Sequence, residues 1–183
     1  PLLNIKLPQD DASFGGSGWR RRATEDAFAR NGLFKLSKSN SRWLVVDFYD
    51  LICEMSEYKD CLFEVDEFLR STEFYKSIKD NCEPCYLFEK RDLNHCRDAL
   101  MRFTQDISYR YGSNIILVRV DLKDRYIDTE NRVESLPDDP KLEFKRRFLS
   151  VCEDMFIKFT DCYVIDIAKR YYASDSHHGG ANH

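Results

Sequence analysis

Asn114-Ile115-Ile116-Leu117-Val118-Arg119-Val120 is the stretch that decides the fold of this chain. Its apolar run is continuous rather than alternating, which is the pattern of a strand covered on both faces. Upstream, Asp92 reads as the N-cap of a long helix with an apolar stripe of Leu93, Cys96, Leu100, Phe103, Ile107 and Tyr111, and Gly112 ends it. Downstream, a polar loop with Pro137 and Pro140 leads into a helix over 141–159, where Phe144, Phe148, Cys152, Met155, Phe156 and Phe159 line up. Two more continuous apolar runs flank this core: Arg42 to Asp50, centred on 43–48, and Cys162 to Ile167. Strands that alternate with helices in this way predict an α/β fold with a mostly parallel sheet, in which 43–48, 114–120 and 162–167 share one layer. Further helices are expected from Trp19 to about Leu36 and over 63–79, and short strands over Leu2–Leu7 and Cys85–Phe88.

Composition bounds what such a domain does. A chain of 183 residues suits one domain with a real core, and 14% aromatic residues argue against disorder. Its formal net charge of −4 and pI near 5.6 exclude the basic face that a nonspecific grip on nucleic acid needs. No apolar run reaches the length of a membrane span. Seven cysteines, an odd set without a charged-then-apolar leader, are expected to be reduced thiols of a cytoplasmic protein. Pro1 rather than Met heads the sequence, so either removal of an upstream segment or membership in a longer protein is expected.

In open parallel sheets ligands gather at the carboxyl ends of the strands. Asp47 and Asp50 end the first apolar run, and Ser174-Asp175-Ser176-His177-His178-Gly179-Gly180 follows the last. Asp175-x-x-His178 has a mechanism. A carboxylate that orients one imidazole nitrogen lets the other take a proton from a hydroxyl nucleophile. Spacing alone equally describes a polar tail of solvated histidines, and Asp92-x-x-His95 repeats it as a helix cap with a bystander His. Asp175, His177, His178 and His183 also have metal-ligand chemistry, but adjacent histidines seldom both ligate one ion. Cys82-Glu83-Pro84-Cys85 reads as turn cysteines rather than a redox or zinc pair, because a helix precedes it and no second such pair exists. Arg20, Arg21 and Arg22 make either a solvated helix face or an anion-binding start to a helix.

Taken in order, Ser17-Gly18-Trp19-Arg20-Arg21-Arg22-Ala23-Thr24-Glu25-Asp26, Leu44-Val45-Val46-Asp47-Phe48-Tyr49-Asp50-Leu51 and the terminal Asp175-x-x-His178 resemble an uncharacterised bacterial SGNH-hydrolase-like family, associated with capsule and teichoic-acid polysaccharide genes. The resemblance implies a three-layer α/β/α sandwich of serine esterases and acyltransferases, here lacking its first strand, with a nucleophilic Ser after that strand and oxyanion donors after later ones. It makes His178 the base and Asp175 its orienting acid, and it puts Arg21, Arg22, Asp47 and Asp50 toward substrate. The nucleophile is expected upstream of Pro1, with Ser17 the one nearby substitute. The implied activity is acyl transfer or hydrolysis on a bacterial surface polysaccharide or its precursor, without a cofactor and alongside other domains of a longer polysaccharide-synthesis protein. A noncatalytic carbohydrate-binding or assembly domain is the alternative, and a metal-dependent hydrolase using the terminal histidines a third.

Overall fold

A computed structural model describes residues 32–58, 61–65, 67–90, 92–166 and 173–174. In chain order the elements are α1 (Gly32–Lys38), β1 (Leu44–Val46), a 3-10 turn (Tyr49–Ile52), β2 (Met55–Tyr58), β3 (Cys61–Glu64), α2 (Glu67–Ser71), α3 (Glu73–Ile78), a second 3-10 turn (Lys79–Asn81), β4 (Glu83–Cys85), α4 (Leu87–Lys90), α5 (Leu93–Tyr111), β5 (Ile115–Val118), β6 (Arg125–Ile127), β7 (Val133–Ser135), α6 (Leu142–Phe159), β8 (Tyr163–Ile165) and β9 (Ala173–Ser174). They fall into two compact units, one within residues 1–41 and 50–95, the other within 42–49 and 96–183.

The second unit holds the parallel sheet that the apolar runs predict. β5 is central, with β1 on one side and β8 on the other, and both pairings are parallel. Because the strand order follows the chain order, both connections advance the same way. Right-handed connections, the near-universal hand, then put α5 and α6 on one face. Ring contacts agree: Phe156 of α6 meets Phe48 beyond β1 at 5.4 Å and Phe103 of α5 at 6.3 Å. On that face Val46, Ile115, Leu117 and Phe156 are buried, the last three completely. The other face differs from the expectation of strands covered on both sides. Trp43 packs on Tyr163 with ring centroids 5.7 Å apart, and these two rings together with Val45 and Ile165 stay 39–62% exposed. No second helical layer covers this face among the described residues.

Helix α5 starts as its sequence indicates: the Asp92 carboxylate accepts from the His95 backbone N–H at 2.8 Å. It stops at Gly112, whose φ of +56° is costly for a side-chain-bearing residue. Its buried stripe is Cys96, Leu100, Thr104, Ile107 and Tyr111, while Leu93 is exposed. In the turn before helix α6, Asp139 accepts from Lys141 N–H and from Lys145 Nζ, both at 2.8 Å. The Lys145 ammonium is the main reason the Asp139 carboxyl titrates below the usual carboxylate range. A depressed carboxyl stabilises the folded state at neutral pH, and that contribution is lost as pH falls through the lowered value. The expected polar loop between β5 and α6 contains a hairpin. Asn131 adopts φ 61°, and the Asp128 carboxylate accepts from Glu130 N–H and Arg132 N–H at 2.8 Å each. β6 then pairs antiparallel with β7 and parallel with β9.

In the first unit the antiparallel sheet β3-β2-β4 carries its own cluster of Phe63, Val65, Leu69, Phe74 and Ile78. The single helix expected over 63–79 is instead a strand and two short helices. Thr72 causes the break. It is fully buried with extended backbone, its hydroxyl accepts from Tyr75 N–H at 3.0 Å, and the same hydroxyl donates to the Leu69 carbonyl at 2.7 Å. The strand expected over Cys85–Phe88 lies earlier, at Glu83–Cys85, on a sheet edge where Pro84 needs no ladder donor.

Cys53, Cys82, Cys85, Cys96, Cys152 and Cys162 are free thiols. Burial pushes the Cys152 thiol up to about 12. Iodoacetamide at neutral pH should therefore leave Cys152 unmodified in the native chain and modify it in concentrated urea, as read by peptide mass mapping; equal labelling in both would contradict its burial. Thr72→Ala should lower stability by about 1–2 kcal/mol and Thr72→Ser by much less, read as the shift in urea midpoint.

Candidate functional site at the carboxyl edge of the parallel sheet

Each strand of the parallel sheet delivers one charged side chain at its carboxyl end: Asp47 after β1, Arg119 after β5 and Asp166 after β8. Asp47 is exposed, and one of its carboxylate oxygens accepts from Tyr49 N–H at 3.0 Å, which starts the turn that follows. Arg119 is the most constrained of the three. Its backbone N–H donates to the Ile165 carbonyl at 2.9 Å, carrying the β5–β8 pairing one residue further. Its Nε donates to Glu153 Oε2 at 3.0 Å and its Nη2 to Asp154 Oδ1 at 3.0 Å.

Glu153 of α6 is 2% exposed, and Val120 N–H fills its other oxygen at 2.8 Å. A carboxylate this deeply buried must be paired and hydrogen-bonded to remain charged. Here one backbone N–H and one guanidinium meet that need. Desolvation acts most strongly on Arg119, and the neighbouring Glu153, Asp154 and Asp166 charges outweigh it, so the net direction for the guanidinium is upward. The segment after Arg119 is tied down as well. Arg146 of α6 donates from Nε and Nη2 to the Leu122 carbonyl at 2.9 and 2.7 Å, and Lys123 pairs with Asp121 at 2.7 Å. The loop at the end of the central strand is thus tied to the polar residues of α6.

Of the residues the sequence singles out, Arg21, Arg22, Ser17, Asp175 and His178 lie outside the described residues, as do His177 and His183. Asp50 is the second residue of the first 3-10 turn and is exposed. Its carboxylate, the Cys53 thiol and the Glu64 carboxylate lie within 4.8 Å of one another, in the first unit. Three such donors suit a divalent cation chemically, yet two of them are exposed acids of a kind common at protein surfaces without an ion. Cys82 and Cys85 form no knuckle: Cys82 donates its thiol proton to the Ile78 carbonyl, Cys85 is buried in β4, and burial raises both thiols. Asp92 and His95 show what Asp-x-x-His does on a helix start, with His95 Nδ1 3.0 Å from Asp92 Oδ1 on an exposed surface.

Sequence reasoning passed over Arg119 and Glu153. The signal was present: Glu153 sits between Leu149 and Phe156 on the apolar stripe of α6, and a charge on such a stripe requires a partner. Comparison with protein-family profiles, with curated proteins and with solved structures yields no match.

Removing Glu153 as Glu153→Ala leaves the Arg119 charge half-buried without its main partner and should cost about 3–5 kcal/mol. Asp154→Ala, at a carboxylate that is 63% exposed, should cost no more than about 1 kcal/mol. Equal losses in chemical denaturation would show that burial does not set the weight of these pairs.

Proposed function

We propose that this chain is the α/β portion of an SGNH-like serine esterase or acyltransferase acting on acyl groups of a bacterial surface polysaccharide or its precursor. The observation that supports the reading is the order of the sheet. Three parallel strands run β1-β5-β8, and in the sequence Asp175-x-x-His178 comes after β8 by way of β9, which pairs with β6 in the small sheet β7-β6-β9. Ligands of open parallel sheets gather at the carboxyl ends of the strands, and the reading applies that rule to this tail. In this reading Asp175 orients His178, and His178 takes the proton of a serine hydroxyl and returns it to the leaving alkoxide. In this reading Asp47 serves substrate at the end of β1, the whole fold is expected to complete a three-layer sandwich, and the site works in the cytoplasm without a cofactor. No helix among the described residues is long and apolar enough to cross a membrane.

A second reading, a noncatalytic carbohydrate-binding domain, draws support from the exposed Trp43–Tyr163 pair, since aromatic faces stack on sugar rings.

The test is turnover of a simple acetyl ester by the longest native chain that carries these residues. His178→Ala should abolish turnover, and Asp175→Asn should lower it about 10⁴-fold through loss of tautomer control. Turnover indifferent to His178→Ala sinks the esterase reading. If Trp43→Ala then removes oligosaccharide binding measured by calorimetry, the binding-domain reading replaces it.

A further inference from the structure

No further inference is drawn: the strongest candidate, the uncovered apolar face of the parallel sheet on which Trp43, Val45, Tyr163 and Ile165 stay exposed, carries none because nothing among the described residues shows what covers it.

Discussion

Glu153 sits almost fully out of water on a helix face otherwise lined by Phe148, Leu149, Cys152 and Phe156. An ion there is tolerable only if both oxygens are answered. They are answered by the two residues that follow the central strand, Arg119 through its side chain and Val120 through its backbone. This requirement ties α6 to the end of β5, and the Arg119 N–H bond to Ile165 ties the same point to β8. One buried carboxylate thus fixes how a helix and two strands meet. Apolar packing alone, being non-directional, would leave the helix free to slide along the sheet.

The parallel unit depends on that anchor because its sheet is small and one-sided. Only Ile115, Leu117 and Val46 give it strand residues that are deeply buried, against Phe156 and its ring neighbours. The antiparallel unit is stabilised differently, by the Phe63–Ile78 cluster and by a threonine that ends one helix while capping the next. Around its rim, Lys90 bridges Glu57 and Glu83 at 3.0 and 3.5 Å, an arrangement of modest energetic weight.

The long elements were legible because their signals are long. Nineteen residues of α5 and eighteen of α6 repeat an apolar spacing over several turns, and β5 is apolar without interruption. The three-strand parallel pairing follows from those elements alone. What the sequence concealed is short. β2, β3, β6 and β7 are three or four residues each, too brief to show alternation above chance, and Lys59-Asp60 between β2 and β3 lacks the Asn-Gly chemistry that marks a two-residue hairpin. Over 63–79 helical spacing is real on both sides of Thr72, but periodicity does not register a cap that interrupts it. Burial of Trp43, Val45 and Tyr163 was over-read for a related reason. A continuous apolar run says that both faces of a strand are apolar, not that both are covered. Asp47 was legible as a strand-end acid, whereas Arg119 became significant only once its partner 34 residues away was in place.

Asp92 and His95 bear directly on how much weight an Asp-x-x-His spacing carries. The Nδ1 contact of 3.0 Å forms here on a helix N-cap whose two side chains are 63% and 74% exposed. Geometry of this kind is a local consequence of one helical turn, since residues three apart share a face. The Asp92 carboxyl is lowered chiefly by the His95 backbone N–H, which is what any N-cap acid experiences. A hydrogen bond between the two side chains is therefore necessary for acid–base work and far from sufficient. The added requirements are partial exclusion of water, which strengthens the pair, and a donor that receives the charge the base creates. Exposed as they are, Asp92 and His95 lack the first of these.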